Sequence, residues 1–409
     1  HYSLLTTNCR SKEFSVPAHL IKEGVYAVGI KDFDEKHFHG HSYAVKRGLT
    51  YNSYLILDEK ITLIDTVRKG FEKEFLNNIR SIIDPSKIDV IIMNHIEPDH
   101  SGVFSEILKI CPEAKVYGTK KSQDGLLKYY GVTAKNWTCV KAGQSVNIGK
   151  RTLDFVDVPM IHWPDSMVTY SPYDKILFSN DAFGQHYAVD KTFDDEVDFN
   201  VLMEEAKKYY ANILWPFGTL ITSKLAVLSK LQFDTVCPSH GLVLRKYIPQ
   251  FLESYALWAA NKTQNKVAVV FETMWGSTEI MAKQIAEGII SEGVEAALFD
   301  VTKCDRTDIA AYMLDAKGFV FGSSTHDGEM LPLIAGFLYF LKGSKAKGRK
   351  AFAFGSYGWS GEAAAQIEEL ASKIASFEPP LKTVFAPTKE ELLQCFNAGK
   401  EFAKKIRVD

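Results

Sequence analysis

The stretch NHIEPDH, residues 94–100, sets two histidines and two acids into seven positions. His95, Glu97, Asp99 and His100 are all metal-ligand types, and three more candidates follow: His162, Asp181 and His240. Each trails a short apolar run, VIIMN before His95, LDFVDVPMI before His162, KILFSN before Asp181 and DTVCPS before His240. Rigid strands hold loop ligands accurately, and strand ends on one sheet edge converge in space. Taken singly, His162 or His240 reads as a buried or capping histidine. Asp181 alone reads as a turn residue, and 94–100 as a helix start with Asp99 as N-cap. Taken together on successive strand ends, the seven read as a dinuclear metal site. Four imidazoles and three carboxylates carry a net charge of −3. Two divalent ions and one bridging hydroxide bring the total to zero. Imidazole and carboxylate without thiolate suit iron, manganese or zinc. Two metals about 3.5–4 Å apart can clamp one small ligand between them.

A second chemistry lies downstream. Thr273, Met274, Trp275, Gly276, Ser277 and Thr278 join an apolar run, VAVVF, to a helical stretch. Hydroxyls and backbone N–H groups at a helix N-terminus form a phosphate cradle. The loop lacks the lysine of a P-loop and the glycines of a dinucleotide fingerprint, so a single phosphate such as that of FMN suits it, as does a plain strand–helix turn. Two further loops follow apolar strands. One holds Ser323, Ser324, Thr325, His326, Asp327 and Gly328; the other holds Ser356, Tyr357, Gly358, Trp359, Ser360 and Gly361. In an open α/β sheet, ligands sit beyond the carboxyl ends of the strands at a topological switch point. Tyr357 and Trp359 are placed to stack on a flat ring or shield it.

The elements that must position these loops fall into two α/β grammars. SYLIL, ITLID, VIIMN, LDFVDV and KILFSN read as strands, with helices over 71–83, 199–214 and 253–260. NKTQNK, 261–266, reads as a linker. Beyond it strand, loop and helix alternate. Met281, Ile285 and Ile289 stripe one helix, and Thr388 with Glu391 forms a capping box for the last. This is a doubly wound parallel sheet. With 409 residues, 46% hydrophobic, the chain is long enough for two such domains. A net charge of −2 leaves no footprint for nucleic acid or an anionic membrane, and no apolar run suggests a membrane span. The six cysteines include no C-x-x-C, which excludes a zinc ribbon or ferredoxin cluster and suits free thiols in a cytoplasmic protein. The start, HYSLLTTNCRSKEF, lacks the apolar core of a signal peptide.

The pattern H-x-[EH]-x-D-H, followed by His, Asp and His, resembles the metallo-β-lactamase superfamily. Its zinc hydrolases usually carry histidine where this chain has Glu97. An added carboxylate favours iron, which cycles between oxidation states, over zinc. With H-x-E-x-D-H the chain resembles the flavodiiron proteins (A-type flavoproteins). FHG (38–40), TYNSYL (50–55), MIHWPDSM (160–167), NDAFGQH (180–186), KYYANI (208–213), PSHG (238–241) and the flavodoxin-like second half agree. The resemblance covers essentially the whole chain. It departs at Ser324, where relatives often have proline, which alters loop stiffness more than flavin identity.

The resemblance implies an α/β fold in two parts. A metallo-β-lactamase-like αββα sandwich over 1–260 would precede a flavodoxin-like FMN domain over 266–409. One iron would be held by His95, Glu97 and His162, the other by Asp99, His100 and His240, with Asp181 bridging. His39, Tyr209 and Tyr210 match stretches near the iron pocket, where they would deliver protons or orient the gas. For His39 a purely structural hydrogen bond is an equal alternative, and His37, His41 and His186 read as structural or surface. The expected activity is FMN-dependent reduction of O2 to water, with NO to N2O as the alternative. Electrons would come from rubredoxin, a coenzyme F420 donor or an NADH-dependent reductase. A head-to-tail homodimer or dimer of dimers is implied, with each FMN facing its partner's irons. The rival classes are a zinc hydrolase with a fused flavin module and a pure electron carrier.

Overall fold

The computed structural model describes residues 18–141 and 143–408. Cys9 lies outside them, and the five described cysteines are unpaired thiols.

The first part is two sheets packed face to face. The seven-stranded sheet runs in the order His19–Lys22, Val25–Ala27, Tyr54–Ile56, Thr62–Ile64, Val90–Ile92, Lys115–Gly118, Asn136–Cys139. Its first four strands are antiparallel and the rest continue in parallel. The five-stranded sheet runs Ser145–Asn147, Thr152–Asp157, Met167–Ser171, Ile176–Asn180, Thr235–Pro238, with only its last pair parallel. Strand alternation explains why the apolar runs are unbroken. Tyr54, Ile56, Ile64, Val90 and Ile92 face Leu153, Phe155, Ile176 and Phe178 of the other sheet. The intervening Leu55, Leu63 and Ile91 join the core under the helices. Both faces are covered, so apolar residues dominate, and polar ones such as Thr62 and Thr169 are themselves buried.

The second part is a single parallel sheet in the order Glu295–Asp300, Gln264–Glu272, Ala316–Ser323, Arg349–Tyr357, Ala375–Val384. Val267, Val269 and Phe271 point to Met281, Ile285, Ile289 and the last helix; Ala268 and Val270 point the other way, into the core that also lines the first part. That second face makes the apolar interior continuous across the molecule. Two readings change and one strand is new. The strand Gln264–Glu272 starts inside the stretch read as linker. The loop 322–332 contains a small hairpin, Thr325–His326 with Glu329–Met330, turned by Asp327 and Gly328, both at positive φ. Asp-Gly is the pair such a turn favours, so the signal was present. The fifth strand, Ala375–Val384, carries two prolines, tolerable because it is an edge strand.

The helical run Phe199–Leu228 is long and apolar enough, by length and composition, to cross a membrane. It is broken into α-helix (Phe199–Tyr209), a π-turn (Tyr210–Leu214), a 3-10 turn (Trp215–Phe217) and α-helix (Gly218–Leu228). Leu202, Ala206, Tyr209, Leu214 and Trp215 are buried in the protein core, which accounts for its apolar character.

Candidate metal centre and flavin edge

All seven candidate ligands meet at one end of the sandwich. The segment after strand Val90–Ile92 turns into a short helix, Pro98–Ser101, which carries Asp99 and His100 on its first turn. Asp65 holds the start of this segment, its Oδ1 accepting from the Asn94 N–H at 2.7 Å. His162, Asp181 and His240 follow strands of the other sheet. The ligands therefore come from two facing sheets, not from one edge. A sandwich brings two edges together where a single sheet offers only one.

His95, Glu97, His162 and Asp181 form one group and Asp99, His100 and His240 another, each with its ligand atoms within 4.8 Å of one another. Asp181 stands in the first group and reaches toward the second. Its Oδ2 lies 3.2 Å from His162 Nε2 and 3.7 Å from His95 Nε2; its Oδ1 lies 3.1 Å from His100 Nε2 and 3.7 Å from His240 Nε2. Glu97 Oε2 is 3.1 Å from His162 and 3.4 Å from His95, and Asp99 Oδ2 is 3.2 Å from His240 and 3.4 Å from His100. Ligand atoms about 2.1 Å from a shared ion stand roughly 3.0–3.4 Å from each other, so most of these spacings fit.

The donor chemistry fits as well. Both carboxylate oxygens of Asp99 and of Asp181 are buried without a hydrogen-bond partner, as are both ring nitrogens of His100. Buried unpaired acids are costly unless a cation completes them. Burial pushes the imidazoles of His100 and His162 down, yet the facing carboxylates outweigh it and hold each up at about 9. Protons thus occupy the place of metal charge, and a metal must displace them. Two ligands have their outer nitrogen engaged. His95 Nδ1 donates to Asp165 Oδ2 at 3.0 Å and His240 Nδ1 to the Thr50 carbonyl at 2.7 Å, which leaves both Nε2 atoms free for metal.

Around the ligands the expected neighbours separate. His39 Nε2 donates to Glu97 Oε1 at 2.8 Å from a half-exposed position. Tyr209 is buried, its ring 6.0 Å from that of His240. A Cβ at Gly184 would stand 3.0 Å from the Tyr209 ring, so glycine there lets the Asp181 loop lie close. Tyr210 packs elsewhere, against Tyr255 and Trp258 at 5.0 and 5.2 Å, because adjacent helical residues point about 100° apart. His186, expected to be structural or at the surface, is fully buried against His240 and Tyr209, with both ring nitrogens unpartnered. His37 and His41 pair on the surface. Sequence reading missed Asp165 and Asp65 as supports and left His186 as structural or surface. Asp165 lies in the quoted WPDSM and His186 five positions after Asp181, but nothing local marked them.

The three flavin loops meet at the switch point, beyond strands Gln264–Glu272 and Ala316–Ser323. Thr278 Oγ1 sits 3.0 Å from Ser324 Oγ and 3.1 Å from Ser356 Oγ, so one buried hydroxyl ties all three. Thr273 Oγ1 accepts from the Gly276 N–H at 3.1 Å, and Gly276, at φ +90, opens the helix Ser277–Ser291 with nothing near its Cβ position. First-turn amides of a helix have no partner of their own, which suits an incoming phosphate. Ser323 is turned inward, its hydroxyl bonded to Ser324 O and Leu331 N. Met274, Trp275, His326, Asp327, Gly358, Trp359 and Ser360 are exposed. Tyr357 packs under Gly361.

Residues 49–241 match the ODP family beta lactamase family, and residues 269–399 match flavodoxin. The nitric oxide reductase of Moorella thermoacetica is 42% identical over 391 residues, 94% of this chain and 98% of that protein. The chain belongs to the flavodiiron proteins. Among solved structures, the rubredoxin oxygen:oxidoreductase of Desulfovibrio gigas superposes with a TM-score of 0.93 at 33% identity, covering 95% of this chain and 98% of that one. The flavodiiron protein of Giardia intestinalis gives 0.90 at 37% identity over 95% and 96%. A flavodiiron protein carries FMN on its flavodoxin part and two irons on its lactamase-like part, and the residues here fit both groups.

Proposed function

We propose that this flavodiiron oxidoreductase reduces a diatomic gas, O2 to water first of all, with electrons delivered from a separate donor through FMN. Glu97 carries the reading. It completes a buried three-ligand set where the related zinc hydrolases have histidine, and a carboxylate there supports a redox-cycling iron. The iron pair and FMN supply gas binding and electrons. The chain's own groups do the rest. His95, Glu97 and His162 would hold one iron, Asp99, His100 and His240 the other, with Asp181 between them. His39, touching both solvent and Glu97, is placed to pass protons inward, and Tyr209 to shape the gas pocket. O2 to two waters consumes four electrons and four protons; two NO to N2O and water consumes two of each. The name of the Moorella relative favours NO reduction as the second reading.

We take the two domains as 1–260 and 266–409, limits that enclose the two family matches. Rubredoxin is the donor class suggested by the name of the Desulfovibrio relative; reduced coenzyme F420 and an NADH-dependent reductase are the other classes. A head-to-tail pair would set the exposed Trp275 and Trp359 of one copy against the metal end of the other. A cytoplasmic site of action accords with the unpaired thiols.

The deciding experiment reduces the iron-loaded protein without air, then supplies O2 and NO separately with product analysis. Water from O2 at a higher kcat/KM than N2O from NO is expected; the reverse order replaces the first reading with the second. Two zinc and no iron per chain would overturn both. Glu97→Ala is expected to lower iron occupancy and abolish O2 uptake while bound FMN stays, as metal analysis and flavin absorbance would show.

A further inference from the structure

We infer that Arg306 and Asp308, on the flavin-binding part, are positioning residues for His39 in the same chain. The hairpin that carries His39 has two residue pairs, His37 with Ala44 and Phe38 with Tyr43. So short a ladder does not hold itself in water. Its turn is also strained, with His39 at φ +52 followed by Gly40 at φ +67. A non-glycine residue in the left-handed region persists when its surroundings over-determine it.

Phe38 and Tyr43 pack on His186 within the first half, and the remaining surroundings come from the other half of the molecule. The helix Arg306–Met313 follows the first outer strand of the flavin sheet, Glu295–Asp300. From it, Arg306 Nε donates to the Ser42 carbonyl at 3.0 Å, with its guanidinium over the Phe340 ring. Ser42 in turn donates through Oγ to the His39 carbonyl at 2.8 Å. Two residues along the helix, Asp308 pairs with Lys46 at the foot of the hairpin and with the buried Lys208 at 2.6 Å. Lys208 lies beneath the Tyr43 ring, and Tyr43 packs on Phe38. The turn and the second arm of the hairpin are therefore tied to one helix turn, and the first arm follows through Phe38 on Tyr43. At its tip His39 fixes Glu97 Oε1, which leaves Oε2 turned toward His95 and His162. The flavin-bearing part thus sets the orientation of a candidate iron ligand, though it supplies none itself.

The kinetic part of this inference rests on the proposed gas reduction; the conformational part does not. In metal-free protein, Arg306→Ala is expected to speed hydrogen exchange of amides 38–45 about tenfold, with the global melting point unchanged. Lys46→Ala, an exposed position safe for folding, should act in the same direction more weakly. In iron- and FMN-loaded protein, Arg306→Ala should lower kcat about threefold to tenfold without changing KM for the gas. Arg306→Lys should restore part of the loss. Most telling is the double variant. If Arg306 acts through His39, Arg306→Ala adds nothing once His39→Ala is present. Unchanged exchange in both Arg306→Ala and Lys46→Ala, or a fully additive loss of kcat, would overturn the assignment. If the loaded protein reduces neither gas, the proposed function fails, while hydrogen exchange still decides the hairpin.

Discussion

At the metal end, all seven ligands are buried or nearly so, and the oxygens of Asp99 and Asp181 lack any hydrogen-bond partner. At the flavin edge, Trp275 is 91% exposed and Trp359 78%, while the inner hydroxyls of Thr278, Ser324 and Ser356 bond to one another. Both sites stand beyond strand ends, yet they make opposite demands. The metal end is electrostatically incomplete on its own, so a cation is part of its fold. The flavin edge ties its inner hydroxyls to one another and turns its open first-turn amides to solvent, so its fold stands before FMN arrives. Loss of metal should therefore weaken the protein more than loss of FMN.

The sharpest way to break this contrast is Asp181→Ala. It removes the one carboxylate within reach of histidines from both groups, and gas consumption should fall more than about a hundredfold with most of the iron lost, read by metal analysis and gas uptake. FMN should remain; flavin loss in the same variant would mean that the sites are not independent. Metal removal comes next. Chelation should lower the melting temperature by about 5 °C or more, whereas FMN removal should shift it by no more than about 2 °C. pH sharpens the same point. His100 and His162 rise from 6.5 to about 9 on folding. A histidine raised in this way lends stability below its unfolded value and loses it as pH climbs through the folded one. Metal-free protein should thus lose stability between about pH 6.5 and 9, and iron-loaded protein should not, as denaturant titrations at each pH would show. At the flavin edge the effects are smaller. Thr273→Ala with Ser277→Ala should weaken FMN binding about tenfold with iron content unchanged. Trp359→Ala should alter flavin fluorescence more than affinity, with a loss of about threefold or less.

Much of the metal end was legible because its ligands are dense, chemically distinctive and set directly after apolar runs. Their partners were not. Asp165 supports His95 from 70 positions away, and only the packing of one sheet on the other brings them together. Arg306 reaches Ser42 across 264 positions. The Tyr209–Tyr210 pair shows a different limit: two neighbours in one motif cannot share a helical face, and a motif does not say which of them turns inward. In the fold, unbroken apolar runs revealed the buried strands. Pro379 and Pro380 hid the edge strand around them, since proline argues against a strand until the edge is known. The Asp327–Gly328 turn was readable and was passed over inside a glycine-rich loop.

The apolar interior that runs unbroken from one half into the other has a consequence for modularity. Ala268, Val270, Ile309 and Phe337 share a core with Tyr210, Leu214 and Trp258. Severing the chain near residue 262 would leave each fragment with a greasy, unsheltered flank. The halves look like interchangeable cassettes on paper, but a transplanted flavin module would have to bring a matching helix face before it could be seated. Heating should melt the molecule as a single unit, and the flavin module should inherit the rigidity of the metal-bearing sandwich to which it is welded.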